Sequence, residues 1–243
     1  MAATFDGTLT WVGHSTFLLE TGSGTRVLLE GFVDSCPTTP EQLKGDGLGD
    51  LDLILVSHGH ADHVADVVAH QQRTGAQVAG IVELMGWFGS QGIAADKLID
   101  FNKGGTIEFA GLRITMVDAK HTSSTPDGQY AGEAAGFVIE LENGYTIYFA
   151  GDTTVFGDMH IIGELYSPDL ALLPIGGHYT MDPALAAKAI EILHVKHVIG
   201  MHWGTFPPLR GRPVELRELV APLSVHVHEL QPGEAFTGVA APV

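Results

Sequence analysis

The feature that most limits this chain is the six-residue run His58-Gly59-His60-Ala61-Asp62-His63, set directly after the continuous apolar stretch Leu51 to Ser57. Such a stretch suits a strand buried on both faces. A loop at its end that carries three imidazoles and a carboxylate is suited to metal. On a turn, residues two apart direct both rings at one ion. Asp62 and His63 fall at the start of the helical segment expected over Val64 to Arg73 and can face a second ion. Ligands this close in sequence form a chelating loop whose closure entropy is already limited. The plain alternative is a polar loop with chance histidines. Four ligand-type residues in six, immediately past a buried strand, argue against it.

The remaining chain predicts where that loop sits. Leu9 to Val12, Thr16 to Glu20 and Arg26 to Glu30 read as strands, followed by Gln77 to Val82 and a helix around Leu84 to Phe88. Thr106 to Phe109 and Leu112 to Val117 form a hairpin around Ala110-Gly111. Phe137 to Leu141 and Tyr145 to Phe149 form another, in which Asn143-Gly144 favours a type I′ turn. Leu170 to Leu173 and His197 to Met201 are further strands, with Ser224 to Glu229 a late one. Asp182-Pro183 caps a helix running to Leu193, and Glu215 to Leu219 is a shorter helix. Two strand-rich blocks, each with helices, predict one domain over residues 1–243: an α/β fold built as a four-layer α/β/β/α sandwich. Apolar strands end at loops bearing His58, His121, Asp152 and His202, and such loops can converge on one edge.

Composition narrows the function classes. The chain has 243 residues, 45% hydrophobic, and a formal net charge of −17. That balance repels phosphate backbones, so nucleic acid is not an expected partner. No stretch approaches the roughly 20 apolar residues that span a bilayer, and Met1 to Thr10 lacks the pattern of a signal peptide, so no membrane association and a cytoplasmic location are expected. The lone Cys36 excludes an internal disulfide and reads as a small buried hydrophobe. Thirteen histidines against twelve Lys and Arg is an unusual ratio, and histidine is the commonest side-chain metal ligand.

The run from His58 to His63 resembles the H-x-H-x-D-H signature of the metallo-β-lactamase superfamily and matches it at every defined position. Other family parts follow in order: His121 in Lys120-His121-Thr122-Ser123-Ser124, Asp152 in Ala150-Gly151-Asp152-Thr153, and His202 in Met201-His202-Trp203-Gly204. Trp11-Val12-Gly13-His14-Ser15 and Pro174-Ile175-Gly176-Gly177-His178-Tyr179 are similar to the ascorbate-6-phosphate lactonase-like branch and its metal-dependent hydrolase relatives. The resemblance runs from about Thr10 to Phe206.

What the resemblance implies is a dinuclear site. His58, His60 and His121 take one metal, Asp62, His63 and His202 the other, and Asp152 bridges. Imidazole and carboxylate ligands without thiolate suit Zn²⁺ or Mn²⁺. A water or hydroxide between the ions, its pKa lowered towards ~7 for a zinc site, becomes the nucleophile. The expected function is hydrolysis of a small ester, lactone or phosphoester, with Asp62, Asp152 and His178 in catalytic roles. A metal-binding sensor or sequestering protein without turnover is one alternative, and an RNA-processing nuclease another. The expected partner is a small-molecule substrate, with a homo-oligomer left open. The family alignment brings His14 and His178 near the site, either to bind an oxyanion or move a proton, or as satisfied supporting histidines. Asp118 and Tyr130 are weaker candidates. His70, His160, His194, His197, His226 and His228 read as surface or packing residues. One departure stands out: Leu29-Glu30-Gly31-Phe32 occupies the place where the branch usually carries an Asp-Pro pair.

Overall fold

A computed structural model describes residues 3–238, so both ends of the expected 1–243 span lie outside the described residues. The first strands are β1 (Gly7–Gly13), β2 (Thr16–Thr21), β3 (Arg26–Leu29), β4 (Leu53–Val56), β5 (Gln77–Ile81) and β6 (Leu98–Phe101). They are followed by β7 (Thr106–Phe109), β8 (Leu112–Asp118), β9 (Ala135–Glu140), β10 (Thr146–Phe149), β11 (Leu170–Pro174), β12 (His197–Met201), β13 (His226–His228) and β14 (Ala235–Phe236). One sheet has the order β14-β1-β2-β3-β4-β5-β6 and the other β13-β12-β11-β10-β9-β8-β7. Each sheet is antiparallel on one side and parallel on the other, the parallel parts being β3 to β6 and β10 to β13. The continuously apolar strands β4 and β11 lie in those parallel parts, where both faces are covered.

Helices α1 (Ala61–Val64), α2 (Val67–Thr74), α3 (Val82–Ser90), α4 (Met159–Tyr166), α5 (Pro183–Leu193) and α6 (Pro213–Val220) complete the layers. The alternation of strand side chains sorts two cores. On β11, Leu170 and Leu172 join Phe17, Leu19, Phe137 and Ile139 between the sheets, whereas Ala171 and Leu173 pack with Ile162, Ile190 and Leu216 beneath α4, α5 and α6. The α/β/β/α sandwich is therefore present. Asp182 caps α5 by accepting from Leu185 N at 2.8 Å, with Pro183 in the first turn. No helix among the described residues is long and apolar enough to cross a membrane.

Two local readings change. The helix expected over Val64 to Arg73 is broken, because Asp66 leaves helical geometry (φ −111°, ψ 3°). Its carboxylate accepts from Val33 N and Ser35 N, both at 2.9 Å, and from Ser35 Oγ at 2.7 Å. Gly31 closes the same joint: it donates to His63 O at 2.7 Å, and its own carbonyl accepts from Asp66 N at 2.8 Å. A Cβ on Gly31 would stand 2.2 Å from Val67 Cγ2, so only glycine permits the approach. The Asn143-Gly144 hairpin is not a type I′ turn. Gly144 has positive φ (83°) but Asn143 does not. Gly144 N donates to Leu141 O, giving a longer loop with glycine at the left-handed position. Asn143 is held instead by Tyr145 N on its Oδ1 (3.0 Å) and by donation to Thr4 O (2.8 Å).

Three histidines from the parallel edge form a stack. The His197 ring lies 5.2 Å from His226 and 5.3 Å from His228, and His197 Nδ1 is 3.1 Å from His228 Nε2. Burial, with His197 and His226 alongside, pushes His228 down to about 4. Burial and His226 lower His197 too, partly opposed by Asp169. The unfolded chain therefore takes up protons that the folded stack refuses, and stability is expected to fall as pH drops from ~6.5 towards ~4. Urea melts of the wild type and His228→Asn at pH 7 and pH 5 test this. The variant should lose less stability between the two pH values than the wild type, and an equal loss would contradict the assignment.

Candidate metal centre

The edge where strands from both sheets end carries the histidines. β4 delivers His58, His60, Asp62 and His63, and the β1–β2 turn delivers His14. From the second sheet, His121 follows β8, Asp152 follows β10 and His202 follows β12. Gly151 makes the Asp152 turn possible: its φ is +60°, and a Cβ there would meet Ala135 O at 2.5 Å.

The donor atoms fall into groups. His58, His60 and His121 form one, with His58 Nε2 3.1 Å from His60 Nδ1. Asp62, His63 and His202 form a second, together with His14. Asp152 Oδ2 lies between them, 3.0 Å from His202 Nε2, 3.4 Å from His63 Nε2 and 3.7 Å from His121 Nε2. All seven residues expected at the site are thus brought together.

Electrostatics prepares these groups to hold a cation. Burial lowers His58 well below the ordinary histidine value, with His63 adding to the effect, and burial also lowers His60 and His121. Those rings are neutral at pH 7, the form that binds metal. Burial would raise Asp152, but His202 and His63 outweigh it and hold the carboxyl well below its usual range. Burial would lower His63, but Asp152 and Glu30 on either side outweigh it and raise the imidazole. His63 Nε2, which faces Asp152 Oδ2 at 3.4 Å, and Asp152 Oδ1 are buried without a hydrogen-bond partner among the described residues. Each such atom costs ~1–3 kcal/mol. A divalent cation there would take one Asp152 oxygen and the Nε2 lone pairs of His63 and His202, so this donor set fits the metal that the loop implies.

A β-lactamase superfamily domain model matches residues 17–203 of this chain. The chain belongs to that superfamily. Within it, the chain is 44% identical over 236 residues to a UPF0173 metal-dependent hydrolase of Roseiflexus sp., covering 95% of this chain and 97% of the relative. It is 49% identical over 234 residues to one of Rubrobacter xylanophilus, covering 93% and 94%. The solved metallo hydrolase Igni18 of Ignicoccus hospitalis is 34% identical, with a TM-score of 0.84 over 95% of this chain and 97% of that one. CmlA, a diiron β-hydroxylase of Streptomyces venezuelae, shares the fold alone: TM-score 0.76 at 12% identity, over 98% of this chain and 55% of CmlA. This protein is a metal-dependent hydrolase.

The hydrolase places two further residues that sequence reasoning left open or undervalued. His14 is fully buried, with Nε2 3.0 Å from Asp62 Oδ2 and Nδ1 3.0 Å from Thr205 Oγ1. Both ring nitrogens are engaged, so His14 orients Asp62 and does not face the cavity. Glu30, the departure from the branch pattern, is also fully buried. Its Oε1 lies 3.3 Å from His63 Nδ1 and its Oε2 accepts from Ser57 N at 3.2 Å. The residue therefore backs a candidate ligand, fixing ring orientation and raising its basicity. Ser57 Oγ, 2.9 Å from His58 Nδ1, does the same for His58. Loss of such a partner typically costs 10–100-fold in metal affinity. Glu30→Gln is expected to weaken metal binding by about that factor while the fold persists. Competition against a chromophoric chelator measures it, and an unchanged affinity would remove Glu30 from the site.

Other candidates stand apart. His178 is exposed and lines a neighbouring cavity, not the one bordered by the metal group. Asp118 is held in ion pairs by Lys103 and Lys120. Tyr130 is 68% exposed and does not line the metal-side cavity.

Proposed function

We propose that the protein holds two divalent ions, Zn²⁺ or Mn²⁺, and uses them to hydrolyse a small ester, lactone or phosphoester. The observation that carries this reading is the position of Asp152 Oδ2, within 3.7 Å of histidines from both donor groups. His58, His60 and His121 would hold one ion, and Asp62, His63 and His202 the other, with the Asp152 carboxylate between. When bound, such ions supply Lewis acidity that activates water and stabilises charge developing on a substrate oxygen.

The chain's own residues shape the rest. A cavity of 550 Å³ opens on His60, Asp62, His121, Asp152 and His202, and Tyr179 and Phe206 form its wall. That volume suits a small molecule. Phe206 lies 5.6 Å from the His14 ring and 6.3 Å from Phe32, forming an apolar shoulder beside the histidine that bonds Asp62. With a net charge of −17, an extended polyanion is a poor partner.

Elemental analysis of protein reconstituted with Zn²⁺ or Mn²⁺ is expected to give close to two ions per chain. Turnover of small esters, lactones or phosphoesters should depend on that loading and should not be inhibited by added RNA or DNA. One ion per chain at saturation would defeat the dinuclear reading. Steady cleavage of RNA with no small-molecule turnover would replace the substrate class.

A further inference from the structure

The chain carries twelve Lys and Arg. All but one pair with a carboxylate or donate to a backbone carbonyl. Arg210 alone has no ion pair or side-chain hydrogen bond among the described residues. In a chain of net charge −17, an unpaired guanidinium is conspicuous. It is also well placed. Arg210 lines a cavity of 690 Å³ that adjoins the 550 Å³ metal-side cavity: Pro208 borders both, and the adjacent residues His178 and Tyr179 border one each.

The backbone that carries Arg210 is pinned on both sides. Leu209, buried, donates to Phe206 O at 2.9 Å and accepts from Gly204 N at 3.1 Å. Gly211 donates to Gly176 O at 3.1 Å. This loop leaves β12 just after His202, so the position of Arg210 is tied to that of a candidate ligand. The two carboxylates bordering the cavity are turned to other work. Asp182 Oδ1 accepts from Leu185 N at 2.8 Å, and Glu215 Oε2 accepts from Arg212 N at 3.0 Å, each at the start of a helix. Arg210 is the charged group of this cavity left without a partner.

We propose that Arg210 is a specificity residue that binds an anionic group, carboxylate or phosphate, at the end of the substrate remote from the bond being broken. This rests on the hydrolase reading of the adjoining cavity. A guanidinium suits the role because its planar fork pairs both oxygens of such a group, and its charge does not titrate. The substrate would then span Pro208, with its reacting carbonyl or phosphoryl group beside Asp152 and its anionic end at Arg210.

Matched aryl esters test it: one reactive bond, with a carboxylate, a neutral amide or an amine at the far end. The metal-loaded wild type is expected to favour the carboxylate ester, and Arg210→Gln to lose about tenfold or more of that preference. The loss should lie in KM, with kcat and the neutral ester little changed and Arg210→Lys restoring part of it. A second readout does not need turnover. In ¹⁵N-arginine-labelled holoprotein titrated with glutarate, the Arg210 Nε resonance should shift and saturate. If no ester is cleaved but that resonance responds, the anion site stands and the proposed substrate class fails. A silent resonance, an unaltered preference in Arg210→Gln, or a preference for the amine ester read by Asp182 and Glu215 would overturn the proposal.

Discussion

Asp152→Ala is expected to strip metal from both histidine groups and to lower turnover by more than the roughly 10–100-fold that follows loss of an outer partner. The residue is 2% exposed, and one of its oxygens lies within 3.7 Å of His63, His121 and His202. Its removal withdraws a negative charge from the centre of the cluster and leaves those imidazoles facing a gap. A cation shared between the groups loses its common ligand, and each group loses charge neutralisation. His178→Ala is the contrast: that ring borders the neighbouring cavity, so metal content should stay at the wild-type level. Metal analysis and single-turnover rates of both variants, with far-UV circular dichroism as a check on folding, decide the matter. Full metal content in Asp152→Ala would mean that the carboxylate does not join the two groups.

Chelation is expected to lower the melting temperature by on the order of 10 °C. An ion present at 1,000 times its Kd stabilises the native state by about 4 kcal/mol. For a chain of this size, 1 kcal/mol corresponds to ~2–4 °C. Without an ion, His63 Nε2 and Asp152 Oδ1 also stay in the interior without a hydrogen-bond partner. Differential scanning calorimetry with and without a chelator measures the shift, and readdition of Zn²⁺ or Mn²⁺ should reverse it. Identical melting curves would show that the folded chain neither holds nor needs an ion in this cluster.

Much of the centre was legible because its donors are local or follow strands that announce themselves. The His58 to His63 loop is contiguous, and His121, Asp152 and His202 each come just after an apolar strand. Glu30 was not legible as a supporting residue, because nothing near it in sequence points to His63. Only the parallel pairing of β3 with β4 brings its carboxylate to that ring. His14 remained ambiguous for a similar reason: its partners Asp62 and Thr205 come from other parts of the chain. The break before α2 depends on Val33 and Ser35 claiming the Asp66 carboxylate, a tertiary contact that overrides helix periodicity. β14 has two residues, too few for alternation to register, and β6 mixes half-buried positions with an exposed Asp100. His178 was drawn to the site by its motif, whereas the loop's backbone, with φ of 62° at that residue, carries the ring next door.

The donors of each group come from both sheets: Asp62 and His63 from the first with His202 from the second, and His58 and His60 from the first with His121 from the second. An ion held by either group closes a ring through the chain, as a covalent bridge would. The single cysteine, Cys36, is buried and unpaired, so no disulfide within the chain does that job. On the proposed reading, a metal held there would be a rivet between two plates as well as a place for chemistry. A repacking of Phe137 or Leu172 that changes how far apart the plates stand would then reach bound metal without touching a ligand, and affinity for metal would become a gauge of the gap between the sheets.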